Sequence, residues 1–195
     1  ENKANEYIKI GAPHNFAVQV LPNILKMLSL AKGNIHPKIK IGYTNEIIKM
    51  LQNNEIEIAF IRGDFYDKQF NRIHISKDNI CLISKDMMDI DSLPESPRII
   101  YHTDPSLHKF LDNWWLKKFM LPSKISMEVD NSQTCIQMVC QGLGYAIVPE
   151  FCIYGYNDLF KEPLYDNDGQ QLVRDTWMIY YKRYNHLLPI NTFIT

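Results

Sequence analysis

Along the first 62 residues the apolar periodicity switches repeatedly between two and about 3.6, and few folds accommodate that rhythm. "YIKIGA" (7–12) alternates Tyr7, Lys9 and Gly11 against Ile8, Ile10 and Ala12, as a strand does. Pro13 opens a segment in which Phe16, Val20, Leu21, Ile24, Leu25 and Leu28 recur at helical spacings. Pro22 lies inside it and predicts a kink or a second helix start, because proline removes a backbone donor. "HPKIKIGYT" (36–44) reads as a second strand. "NEIIKMLQNN" (45–54) reads as a helix with Ile47, Ile48 and Leu51 inward, and "EIEIAFIR" (55–62) as a buried strand. Strand, helix, strand, helix, strand is the βαβ rhythm of a doubly wound α/β lobe.

The rhythm then breaks and restarts. "RIHISKDNICLISK" (72–85) holds two strand-like runs with no room for a helix, and reads as a crossover into a second lobe. A strand at 98–102 precedes a helix over 104–119, for which Asp104 is a good N-cap and Pro105 a good first residue. A strand at 125–130, a helix over 131–142 ended by Gly142, and a strand at 145–149 complete the second cycle. "DTWMIYYK" (175–182) alternates as a strand returning to the first lobe. The expected division is 1–75 for lobe I, 76–170 for lobe II and 171–195 for the return. The ends, "ENKANEY" and "NTFIT", read as cuts inside a longer chain.

Charge and composition exclude several function classes. Lys and Arg number 21 against 22 Asp and Glu, so the basic surplus of a domain that grips DNA by itself is missing. No apolar run approaches the ~20 residues of a membrane helix, and the polar start has no signal-peptide core, which predicts a cytoplasmic protein. The cysteines at 81, 135, 140 and 152 form no Cys-x-x-Cys and match no zinc spacing; they read as buried free thiols, and no metal or cofactor is expected. No nucleophile elbow, phosphate loop or His-Glu-x-x-His occurs, so no catalytic residue is assigned.

Four stretches together resemble one family. They are "IKIGAPHNFAVQVLPNIL", with Leu-Pro in the first helix; "LQNNEIEIAFIRG", where a leucine and a short turn precede an apolar strand; "LPESPRIIYH", which introduces the second lobe; and "MVCQGLGYAIVP", with Gly-Leu-Gly before an apolar strand closing on proline. In that order the chain resembles the effector-binding domain of LysR-type transcriptional regulators over nearly its whole length. The resemblance implies an α/β fold of two Rossmann-like lobes around a cleft, the periplasmic-binding-protein type 2 architecture. It also implies a small-molecule effector, side-by-side pairing into homodimers or homotetramers, and contact with promoter DNA only through a winged helix-turn-helix upstream. "APHNFA" departs from the small or hydroxyl residues common there, so no relative's ligand transfers, and the family's last helix is shortened or absent.

Elementary physics points to the same place. In open α/β sheets ligands bind beyond the carboxyl ends of the strands. Here those ends lead into four expected helix N-termini, at 13–16, 44–46, 103–106 and 131–134, each with unpaired N–H groups and partial positive charge. Converging, they would attract a small anion. Asn15, Thr44, Thr103, Asn131, Ser132, Gln133 and Thr134 can hydrogen-bond a ligand there, or simply cap their helices. Arg62 can hold a carboxylate in a fork, and the resemblance places it where some relatives meet effectors; otherwise it is a surface arginine pairing with Asp64. His14 and His102 are candidates for an oxyanion, or packed loop residues. Phe16 and Tyr43 offer an aromatic wall or core packing, and of Trp114 and Trp115 only one ring is expected to face the core. Cys135 falls in a first helical turn, where the dipole lowers a thiol's pKa. The expected activity is sensing of a small anionic effector that shifts oligomer geometry on DNA; the alternative is a transporter's solute-binding protein with the same fold.

Overall fold

In the computed structural model, which describes residues 6–31 and 35–184, the alternating stretch at the start is strand β1 (Glu6–Ala12). Residues 1–5, 32–34 and 185–195, the ends read as cuts among them, lie outside the described residues, as does the side chain of Leu28. After Pro13 come two helices, α1 (His14–Gln19) and α2 (Leu21–Ala31). Pro22 is thus a second helix start, sitting where its missing N–H would have had no helical partner. Strand β2 (Ile35–Ile41), helix α3 (Thr44–Gln52) and strand β3 (Ile58–Arg62) follow. The second strand ends earlier than expected because Tyr43 already serves as the helix N-cap residue.

The chain forms two units, one from the residues up to Ser76 together with those from Asp175, the other from Lys77–Arg174. In the first, β2, β1 and β3 are parallel neighbours, and β9 (Val173–Tyr181) lies antiparallel beside β3. All five residues of β3 are buried. Ile58 and Phe60 face a core with Ile8, Ile10, Phe16, Leu21 and Met178, while Ala59 and Ile61 face one with Ile47, Leu51 and Ile179. A strand with helices on both faces has no polar side, which is why "IAFI" reads as a continuous apolar run.

The stretch from 70 to 84 is a single fifteen-residue strand, β4 (Phe70–Ser84), not two runs. The chain passes from the first unit to the second inside it and returns inside β9. The polar residues Lys77, Asp78 and Asn79 sit at that passage.

In the second unit β4 pairs antiparallel with β7 (Ala146–Pro149) and with β8 (Phe160–Pro163), a strand that no periodicity in "FKEP" announces. β5 (Arg98–Tyr101) and β6 (Ile125–Val129) form a parallel pair. Helix α4 (Pro105–Phe119) is capped by Asp104, whose carboxylate accepts from the Ser106 N–H at 2.9 Å, and α5 (Ser132–Cys140) by Asn131. Both tryptophans of α4 are buried, which corrects the expectation that one would face out. The indole N–H of Trp114 donates to the Tyr165 carbonyl at 2.9 Å and that of Trp115 to the Leu121 carbonyl at 2.7 Å, so flanking loops cover both rings. The Gly-Leu-Gly segment works through backbone geometry. Gly142, at φ +75°, ends α5, and Gly144 lets the chain pass so close to Pro97 that the Tyr145 N–H reaches the Pro97 carbonyl at 3.0 Å.

Candidate functional site

Thr44 and Arg62 are brought together in the first unit. Thr44 is the first residue of α3, and its hydroxyl accepts from the Arg62 backbone N–H at 3.3 Å, tying the helix to the end of β3. Arg62 is 7% exposed, so it is buried rather than the surface residue that was one reading of it. Its guanidinium is a fixed positive charge held at the carboxyl end of the strand. Thr176, in register with Arg62 on β9, was missed by the sequence reading. It is fully buried, and its hydroxyl oxygen has no hydrogen-bond partner among the described residues. Directly paired strand residues share a face of the sheet, so Arg62 and Thr176 stand side by side. Only the pairing of the last strand with the third reveals this.

The other first-unit candidates divide. Phe16 is fully buried and stacks on Phe60 with ring centroids 4.8 Å apart, so its ring serves the core. Tyr43 is exposed. His14 is exposed, its ring nitrogen 3.5 Å from the side-chain oxygen of half-buried Asn15.

In the second unit the expected residues follow one another around the carboxyl ends of β5 and β6. His102 is exposed, with Nε2 2.9 Å from the Glu128 carboxylate and Nδ1 4.0 Å from Asp130. Carboxylates so close suit a cation better than an oxyanion, which argues against His102 as an anion contact. Thr103 is half-buried. Asn131 accepts from the Thr134 N–H at 2.8 Å through its side-chain oxygen; Ser132 is buried, Gln133 exposed and Thr134 half-buried.

Charges at the helix starts modify the expected anion trap. At α3 the Glu46 carboxylate folds back onto the Tyr43 N–H at 2.7 Å. At α4 the cap is Asp104, 3.6 Å from the buried Arg174 guanidinium, a second arginine absent from the sequence reading. Two of the four N-termini are therefore already complemented by carboxylates, whereas α5 is capped by a neutral amide and α1, with Pro13 before it, has no side-chain cap.

Cys135 is buried under β5, and desolvation pushes its thiol up to about 12, with Arg98 pulling weakly the other way. Burial outweighs the helix dipole that was expected to lower it. Cys81 is pushed up to about 12 for the same reason, reinforced by Glu150 and opposed by Lys161. All four cysteines are free, and no cluster of His, Cys, Asp or Glu suited to a metal ion occurs among the described residues.

Comparison with known proteins fits this geometry. Residues 2–195 match the family model of the LysR substrate binding domain. The HTH-type transcriptional regulator YraN of Bacillus subtilis (strain 168) is 31% identical over 188 residues, covering 96% of this chain. The chain spans 65% of that regulator's length. Among solved structures, the BenM effector binding domain with its effector benzoate superposes with a TM-score of 0.77 at 17% identity, covering 97% of this chain and 89% of that one. The bromide-bound regulatory domain of HypT from Salmonella typhimurium does so with a TM-score of 0.80 at 15% identity, covering 98% and 93%. The α/β fold is therefore that of the periplasmic-binding-protein type 2 architecture.

Proposed function

This chain belongs to the LysR substrate-binding domain family, and from that premise we propose that it senses a small anionic effector for a transcription regulator. The regulator part rests on the family match and on relatives that are HTH-type regulators rather than transport proteins or enzymes. The anionic part rests on one observation: Arg62 is buried at the end of β3, in register with the buried Thr176 and with its backbone N–H donating to the Thr44 hydroxyl. A buried guanidinium suits a carboxylate or a halide. Benzoate and bromide, held by BenM and HypT, are both anions. Within the second unit, the α5 N-terminus from Asn131 to Thr134, capped by a neutral amide, is the helix start that best suits an anion. Closure of the two units around the effector, assembly as a homodimer or homotetramer, attachment to DNA through a helix-turn-helix segment outside this chain, and a cytoplasmic location belong to the same proposal. Among the described residues no helix is long and apolar enough to cross a membrane.

A thermal-shift screen against small carboxylates, aromatic acids, halides, phosphate and sulfate tests this. An effector at about 100 times its dissociation constant adds roughly 2.7 kcal/mol, or on the order of 5–10 °C for a chain of this size. The expected hit is an anion whose shift is lost in Arg62→Gln and reduced in Thr176→Val, with both variants keeping a cooperative unliganded transition. An anion hit that survives both substitutions removes this site. A screen in which no anion raises the midpoint removes the anionic reading.

A further inference from the structure

Away from every residue assigned above, the second unit contains a cavity of about 430 Å³ between α4 and the turn that leads into β9. Its floor is one helical stripe, Phe110, Asn113, Trp114 and Lys117, spaced so that all four share a face of α4. Leu172 and Val173 close the apolar side, and Asp166 and Asp168 stand at the rim. We infer that this cavity is a second small-molecule site, taking a flat apolar molecule that carries a primary ammonium group.

Shape, wall and charge each contribute to that inference. The volume lies within the few hundred Å³ typical of small-molecule sites. The walls are pinned in place: the Trp114 indole N–H donates to the Tyr165 carbonyl at 2.9 Å, and the Asn167 amide donates to the Lys117 carbonyl at 3.1 Å. The turn is braced from within, since Asp166 Oδ1 accepts from the Asp168 N–H at 3.0 Å and the Gln170 N–H at 2.8 Å. Both bonds use the same oxygen, which leaves Asp166 Oδ2 for a ligand, and the Asp168 side chain is exposed beside it. Phe110 is 39% exposed although its neighbour one turn on, Trp114, is buried, so a large ring is presented to the cavity. Two carboxylates against one lysine give the rim a net negative charge, which repels the anions proposed for Arg62 and attracts an ammonium group. Aromatic faces beside carboxylates also favour an organic cation through the ring quadrupole.

The test is a titration of the 15N-labelled chain with 2-phenylethylamine, 2-phenylethanol and 3-phenylpropionate, followed by 1H–15N NMR. The amine is expected to saturate with a dissociation constant on the order of 1 mM, given its few heavy atoms. It should move the Trp114 indole signal and leave that of Trp177 in place. The alcohol should bind roughly tenfold more weakly, having lost the charge-assisted bond. Phe110→Ser and Asp168→Asn, both at solvent-accessible positions, should each weaken the amine by about the same factor, whereas Arg62→Gln should not change it. Equal binding of the three probes, an unmoved Trp114 indole at ~10 mM amine, or unchanged affinity in both unit-2 variants would overturn the inference. Because Arg62 takes no part, these outcomes are separate from those of the anion screen.

Discussion

Replacing Gly144 by alanine should be among the most damaging single-methyl changes available to this chain. A Cβ built at that position would stand 2.4 Å from the Pro97 carbonyl oxygen and 3.3 Å from its carbon. The obstacle is backbone, not the flexible end of a side chain, and that backbone is engaged. Pro97 O accepts from the Tyr145 N–H at 3.0 Å, and the Ile99 N–H donates to the Tyr145 carbonyl at 2.8 Å. Relief therefore requires breaking at least one of these bonds in a buried setting, or pushing Tyr145, which is fully buried, out of its seat. A lost buried hydrogen bond costs about 1–3 kcal/mol, and forcing atoms into a packed interior about 1–3 more. The sum, on the order of 2–6 kcal/mol, corresponds to a fall in thermal midpoint of roughly 4–24 °C at 2–4 °C per kcal/mol. The comparison is Gly142→Ala, two residues earlier, where the cost is mainly that of φ +75° for a residue with a Cβ, about 1 kcal/mol, and the nearest neighbour is the flexible Lys85 side chain at 3.1 Å. Thermal unfolding of both variants by circular dichroism decides the matter. Equal losses, or a smaller loss for Gly144→Ala, would refute the reasoning that close backbone approach is what demands glycine there.

Two further outcomes follow from burial and capping. Cys81 and Cys135 keep their protons in the folded state up to about pH 12, while in the unfolded chain they lose them near 9. Their contribution is therefore intact below about pH 9 and lost as pH rises from there towards 12, by about 1.4 kcal/mol per pH unit per thiol. Urea unfolding at pH 8 and pH 10 should show a loss that is largely absent in a Cys81→Ala, Cys135→Ala double variant, and at pH 8 neither thiol should react with a maleimide unless the chain is unfolded. Asn131→Ala removes the acceptor for the Thr134 N–H and should cost about 1 kcal/mol, read as a drop of a few degrees in midpoint. Rescue by Asp in place of Asn131, with stability restored but anion binding weakened, would show that the cap's neutrality matters to the site.

Much of the architecture was legible because apolar spacing records which faces are buried. Ile47 and Leu51 on α3, and Leu107 and Leu111 on α4, point inward as their spacing of four requires. Where polarity interrupts a strand for reasons of connection rather than exposure, periodicity misleads: 72–85 reads as two runs, yet Asp78 is buried within a single strand, β4. β8 carries no alternation because its neighbours cover it only partly. At the site, Thr44 and Arg62 could be named since each lies at an expected strand or helix end. Thr176 and Arg174 could not, because their neighbours are distant in sequence and only strand pairing or tertiary packing supplies them. Trp114 and Trp115 show the limit of helical-face arguments when loops cover what the sheet does not.

The path of the chain has a consequence for its biosynthesis. Lys77–Arg174 is one uninterrupted stretch with two apolar clusters of its own, whereas the first unit is split around it, and β9 takes its place between β3 and β4. As synthesis runs from the N-terminus, all of the inserted unit emerges from the ribosome before the strand that completes its host. The host sheet waits with an open middle, its β3 edge apolar and unpaired, until the segment from Asp175 to Tyr181 arrives. A ribosome that stalls before that segment leaves the insert able to fold and the host exposed to aggregation.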